Sequence, residues 1–198
     1  MAVAGIETPA LRPATPPAPL GQRVWAWMHQ RPTPAQWLFI VTGALMFELA
    51  WSALGVTLVA ATSSEPAQAD PLVKWLMLEA PLAQAIGILA LGVLLEELAF
   101  RLVPLAIVLR IARRKPDMTW LVPVTVVLAA VAFGLFHGLE WYRLLLQAVG
   151  GVALALVYLK TCGMNGRYWL AALATTFLVH LAINSTLMLA MRVAQSAA

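Results

Sequence analysis

Charge is what this sequence has least of. Nine acidic and thirteen basic residues make up 11% of its 198 positions, while apolar residues make up 62%. A soluble domain is about 25% charged and about 45–50% apolar. So few charges cannot coat a water-facing globule, which excludes a soluble enzyme, a disordered tail and a coiled coil. Cysteine is nearly missing as well. Cys162 stands alone, so there is no internal disulfide and no cysteine-rich zinc cluster, and it reads as an ordinary loop residue. There is no HExxH, no serine set in a recognisable nucleophile motif, and no internal repeat. No apolar h-region follows Arg12 or Arg23, so the N-terminus does not read as a secretory signal.

What is present is a series of apolar segments long enough to cross a membrane at roughly 20 residues each. They cover residues 37–61, 82–109, 119–139, 143–160 and 168–191. The expected fold is all-α, a polytopic transmembrane helical bundle of about five spans with interfacial helices. The second segment is longer than a crossing needs, so it is tilted or broken, and Pro104 is the expected place for a break. Residues 62–71, with Glu65 and Asp70, read as a polar loop, and residues 72–80, with Lys74 and Glu79, as interfacial. Trp37, Trp120, Trp141 and Trp169 fall at span ends, where amphipathic rings prefer the headgroup level. Residues 1–35 hold seven of the thirteen prolines and form a disordered or interfacial N-terminal segment. Within it, residues 22–31 suit a short surface helix that makes His29 interfacial. Residues 36–198 form the membrane domain, with a motif core at 81–190.

The net charge of +4 is an orientation signal rather than a nucleic-acid footprint. Arg12, Arg23 and Arg31 flank the first span. Arg110, Arg113, Arg114 and Lys115 sit in the second loop, and Lys160 and Arg167 in the fourth. The alternate loops carry only Lys74 and Arg143, and the tail only Arg192. Basic loops belong inside, which puts the N-terminus in and the C-terminus out.

Ionisable residues inside apolar spans cost at least ~2.5–3.5 kcal/mol each at mid-helix for Asp, Lys or Arg, and mark functional sites by default. They are Glu48 in span one, Glu96, Glu97 and Arg101 in span two, His137 in span three, and His180 with Asn184 in span five. Glu97 and Arg101 stand i,i+4 with the acid first, the better order for an ion pair. Glu96 points about 100° away around the same helix and is left free to face the bundle interior. His180 and Asn184 share one helix face, as do Phe133 and His137. A carboxylate and an imidazole suit proton transfer; an amide and an imidazole N–H suit a developing oxyanion. The kit fits water attacking a carbonyl. Polar residues also hold membrane helices together, and Glu48 reads as such a contact.

Three segments carry a resemblance. Glu96-Glu97-Leu98-Ala99-Phe100-Arg101 is EExxxR, Phe133-Gly134-Leu135-Phe136-His137 is FxxxH, and His180-Leu181-Ala182-Ile183-Asn184 is HxxxN. In this order on separate apolar segments, they resemble the CPBP family of intramembrane proteases. That family holds the CAAX prenyl proteases of the Rce type and bacterial relatives linked to bacteriocin processing, and is also called the glutamic-type intramembrane proteases. The resemblance implies Glu96 as the base that activates water, assisted by His137. It implies His180 and Asn184 as oxyanion donors and Glu97 with Arg101 as a supporting pair. It implies no cofactor; a zinc-dependent alternative would use Glu96, His137 and His180 as ligands.

The expected substrate is a membrane-anchored or lipidated protein cut near its C-terminus. The expected partners are that substrate and the lipid bilayer, with no nucleic acid. The outward placement of His137 favours trimming of C-terminal sorting tails over cytosolic prenyl-protein processing, and the composition suits a bacterial cytoplasmic membrane. Two other classes compete: a non-catalytic immunity or scaffold protein of the same fold, and a proton-coupled transporter, which the absence of an inverted repeat disfavours.

Overall fold

The computed structural model describes residues 26–28, 30–62, 74–162 and 166–196. The proline-rich segment up to residue 25, His29, and the loop with Glu65 and Asp70 lie outside the described residues. Every regular element among the described residues is helical. We label them α1 (Pro34–Thr62), α2 (Leu82–Glu97), α3 (Val103–Arg114), α4 (Leu121–Phe136), α5 (Trp141–Cys162) and α6 (Trp169–Ser196). A π-helical turn at Trp75–Glu79 precedes α2, and a second at Leu98–Leu102 joins α2 to α3.

Four stretches among the described residues are long and apolar enough to cross a membrane: Pro34–Gly55, Pro116–Phe136, Leu144–Cys162 and Trp169–Ser196. The fifth expected span is the composite α2–α3, expected to be tilted or broken; its backbone stays right-handed helical throughout, and the α-helical pattern widens into a π turn just ahead of Pro104. That proline has no N–H to return to the carbonyl of Phe100, and the turn ahead of it is widened, with the Val103 N–H reaching five residues back to Leu98. Single π turns of this kind recur at functional sites. This one carries Arg101 and follows directly on Glu97.

The chain runs up and down through the bundle. α4 packs on α5, α5 on α6, and α1 across α5 and α6, while α2 lies against α6. Leu105 and Leu109 of α3, Val122 of α4 and Tyr158 of α5 are buried in one shared core. Leu154, Val179 and Ile183 form another under Val41, Ala44 and Leu45 of α1. Small residues allow the close approach of α4 and α5, as is usual between membrane helices. A methyl group on Gly134 would fall 2.8 Å from the Leu144 carbonyl oxygen, and one on Gly151 would fall 3.2 Å from Ala130 Cα. Large apolar side chains such as Phe39, Leu128 and Leu170 face outward, as a lipid-facing surface requires. Trp37, Trp120, Trp141 and Trp169 are exposed at helix ends.

Three polar residues lie where the spans did not put them. Lys160 belongs to α5, not to a loop, and is buried; its ammonium donates to the carbonyls of Trp27 and Gln30 and covers the Trp27 ring. Arg192, expected in a tail, lies in α6 and donates to the carbonyls of Met77, Leu76 and Ala80 at 2.9, 3.0 and 2.8 Å. Each cation donates to carbonyls at the end of a short helical segment, and the Trp27 carbonyl accepts from the Gln30 N–H as well. Of residues 72–80, expected to be interfacial, the described ones form a turn pinned to α6 by Arg192. Cys162, expected in a loop, is the last residue of α5 and is buried. Its side chain packs in the same core as Tyr158, so it behaves as a small hydrophobe.

Candidate active site

The three motif segments meet inside the bundle. The α2 end and its π turn present Glu96, Glu97 and Arg101. α4 ends at Phe136 and is capped by His137, whose backbone N–H turns back to the Gly134 carbonyl at 3.1 Å. The following Gly138 takes φ 142, open to glycine and strained for other residues, and this turn starts the path to α5. α6 supplies His180.

The floor of the site is closed. Glu97 is 0% exposed, Arg101 1% and His180 6%. Arg101 Nη1 lies 3.1 Å from Glu97 Oε1, as the i,i+4 spacing predicts. The same oxygen lies 2.9 Å from His180 Nδ1, a contact between residues 83 apart that no local spacing announces. The Arg101 guanidinium also stacks 4.2 Å from the centre of the Phe133 ring, an arrangement that gains strength away from water. Phe133 in turn meets His180 edge-on at 5.8 Å and His137 at 4.4 Å. The phenylalanine of FxxxH is therefore the common wall of both imidazoles and the guanidinium. Sequence reasoning gave it no role, although its place in the motif was the available signal.

The mouth is more open. The side chains of Glu96 and His137 are 19% and 27% exposed. His137 Nε2 lies 3.7 Å from Glu96 Oε1, and His180 Nε2 lies 3.6 Å from Glu96 Oε2, both beyond direct hydrogen-bond distance. The far ring nitrogens decide what these near ones can do. His137 Nδ1 lies 2.8 Å from the Phe133 carbonyl oxygen. A carbonyl only accepts, so Nδ1 carries the hydrogen. His180 Nδ1 faces the arginine-paired Glu97 carboxylate and donates for the same reason. In both neutral rings Nε2 is then a lone pair aimed at Glu96. These tautomers follow from the partners, not from observed hydrogens.

Asn184 sits one turn beyond His180 on α6 and is partly exposed. Glu48 of α1 is buried with its carboxylate against Gly150 of α5; a methyl group there would fall 2.7 Å from Glu48 Oε2. Its Oε1 has no hydrogen-bond partner among the described residues. Glu48 is thus a third carboxylate within electrostatic reach of Arg101 and His180. Among the described residues, no three of His, Cys, Asp and Glu are arranged to hold a metal ion.

Residues 78–186, more than half of the chain, match the sequence model of the family described as type II CAAX prenyl endopeptidase, Rce1-like. The matched stretch contains Glu96, Glu97, Arg101, His137, His180 and Asn184, and leaves out Glu48 and Arg192. No curated protein and no solved structure matches the chain.

Proposed function

This chain belongs to the Rce1-like family, type II CAAX prenyl endopeptidases, and on that premise we propose that it is an intramembrane endopeptidase in which Glu96 activates the attacking water. The fold and family make it an integral membrane protein of a protease family that acts on prenylated, membrane-associated proteins. One observation carries the finer reading: two imidazoles with fixed Nδ1–H groups aim their Nε2 lone pairs at the two oxygens of one carboxylate. A water among these three acceptors has its hydrogens spoken for and its own lone pair free for a substrate carbonyl.

Glu96, helped by His137 Nε2, takes a proton from water as the oxygen attacks the scissile carbonyl. The tetrahedral oxyanion is held by the Asn184 amide and by His180. His180 donates through Nε2 as an imidazolium, because Nδ1–H is already given to Glu97; Nε2 receives the water's proton from Glu96 Oε2, 3.6 Å away, as the oxyanion forms and returns it to Glu96 as the oxyanion collapses. The Glu97 carboxylate stabilises that cation and fixes its ring, as the buried carboxylate of a catalytic triad does for its histidine. Arg101 and Phe133 hold Glu97 and His180 in turn. The proton held by Glu96 passes to the leaving amine as the C–N bond breaks, giving a carboxylate and an amine. The substrate is a membrane-anchored or lipidated protein cut near its C-terminus. Loop charges support an inside N-terminus in a bacterial cytoplasmic membrane.

A second reading has one feature in its favour. A histidine that gives Nδ1–H to a carboxylate or carbonyl and keeps Nε2 free is the usual form of a metal ligand. Zinc on Glu96, His137 and His180 would polarise the water instead of the carboxylate deprotonating it alone.

Glu96→Gln tests the proposal. In proteoliposomes with a prenylated C-terminal peptide, this variant should unfold at the same temperature and lose on the order of 10²–10⁴ of the cleavage rate. A folded Glu96→Gln protein that cleaves at the original rate would remove Glu96 from this role.

A further inference from the structure

The helix that leaves the π turn changes character along its length. α3 reads Val-Pro-Leu-Ala-Ile-Val-Leu-Arg-Ile-Ala-Arg-Arg, apolar for its first seven residues and carrying three arginines in its last five. One helix thus runs from hydrocarbon to headgroup depth, and Trp169, exposed at the start of α6, stands at the headgroup end, where such rings prefer to lie. A groove of about 490 Å³ follows α3 beside the start of α6.

The deeper part of the groove is apolar. Val103 and Ile107 are 53% and 56% exposed, and Ala106 leaves room between them. Val103, Ala106, Ile107 and Arg110 stand three or four residues apart, so they share one face of the helix. The headgroup end of the groove holds Arg110 and Arg113. Arg113 Nε donates to the Leu109 carbonyl at 3.3 Å, which holds the guanidinium against the helix and uses one of its five donors. Its Nη2 lies 3.6 Å from where a methyl group on Gly166 would stand, so the loop before α6 comes up beside it. Arg110 is exposed. Among the described residues neither arginine is in an ion pair with a carboxylate, and no acidic side chain lines the groove.

The length is informative too. From Leu102 at the deep end to Arg113 is about 16 Å, at the ~1.5 Å rise of a helical residue. Half of the ~30 Å hydrocarbon core is about 15 Å, which is how far an acyl chain reaches below its own headgroup.

We infer that this groove holds one anionic phospholipid, its phosphate between Arg110 and Arg113 and an acyl chain laid along Val103, Ala106 and Ile107 towards Leu102. Basic pockets between membrane helices suit anionic headgroups, and two guanidinium groups can meet one phosphate. A zwitterionic lipid would bring an ammonium towards the same arginines, and a soluble phosphate would leave the apolar slot without a partner. None of these residues belongs to the Glu96 site, so the inference does not rest on the hydrolytic chemistry.

The test uses the full chain in detergent, titrated with phosphatidylglycerol and with phosphatidylcholine. Binding is read by native mass spectrometry and by the rise in unfolding temperature. Phosphatidylglycerol should bind saturably and phosphatidylcholine weakly; equal binding of the two would overturn the inference. Arg110→Gln with Arg113→Gln should weaken phosphatidylglycerol about tenfold or more. Arg114→Gln with Lys115→Gln removes the same charge from exposed positions outside the lining and should leave binding within about twofold. Equal losses from the two pairs would mean diffuse attraction to a basic surface and would sink the proposal. Ala106→Trp fills the slot from an exposed position and should also weaken binding about tenfold; unchanged binding would take the acyl chain out of the groove. Millimolar glycerol phosphate and a prenylated C-terminal peptide should both fail to displace the lipid. Displacement by the first would make the site one for soluble phosphates, and by the second a part of the substrate's path; either contradicts the inference.

Discussion

Removing Arg101 should be among the most damaging single changes in this protein, and removing its partner's charge as well should repair much of the damage. Glu97 and Arg101 are both buried, 3.1 Å apart, with His180 as the other partner of Glu97. Breaking a buried pair by deleting one member costs about 3–5 kcal/mol, because the remaining charge is left uncompensated. Arg101→Leu keeps apolar contact with Phe133 and strands Glu97 on His180 alone. The expected loss is therefore in that range, a large share of the ~5–15 kcal/mol that holds a typical fold. Adding Glu97→Gln removes the stranded charge while keeping its shape. The double variant should recover at least about 2 kcal/mol, a coupling expected of residues in one network. Activity should not return with stability, because His180 no longer has a carboxylate to stabilise its charged form. Reversible unfolding in mixed micelles gives the cycle, and peptide cleavage gives the activity. Arg101→Leu as stable as the unmodified protein, or a double variant no better than the single, would refute the ion-pair reasoning.

Other expectations concern single contacts. Gly150→Ala should destabilise by about 1–3 kcal/mol, the usual cost of overpacking, since its methyl group meets Glu48 Oε2 at 2.7 Å; combining it with Glu48→Ala should relieve most of that loss in the same unfolding assay, and equal losses would dissociate the two residues. Asn184→Ala should lower kcat by on the order of 10²–10³ with little change in KM if its amide holds the oxyanion; steady-state kinetics showing an unchanged kcat would take it out of the site. Lys160→Met should free the segment around Trp27 and Gln30, visible as faster proteolysis near Arg31, while a cleavage pattern identical to the unmodified protein would show that the clamp is dispensable.

Much of the membrane architecture could be read from hydropathy alone, because a crossing needs only length and apolarity. The site's local half was equally legible: Glu97 with Arg101, and Phe133 with His137, are one-turn neighbours whatever the fold. What local spacing could not give is how helices rotate against one another. α1 and α2 are apolar nearly all round, so no polar face announces which side meets a neighbour. The Glu97–His180 contact and the Gly150 seat of Glu48 depend on that rotation. Lys160 and Arg192 were misplaced for a related reason. A cation near a span end reads as a loop charge, yet each turns back to cap carbonyls of a short turn distant in sequence. Cys162 followed Lys160 into the wrong class, since α5 runs two residues past the expected end of the span at residue 160. Pro104 was the expected place for a break in the second span, but the helix continues through it and the preceding turn, which carries Arg101, widens instead.

The most direct test of the central claim, water activated by Glu96 without a metal, is the zinc content of purified active protein, measured together with cleavage after exhaustive chelation. The account predicts substoichiometric metal and an undiminished rate. About one zinc per chain, with activity lost on chelation and restored by zinc, would contradict it and recast Glu96, His137 and His180 as ligands.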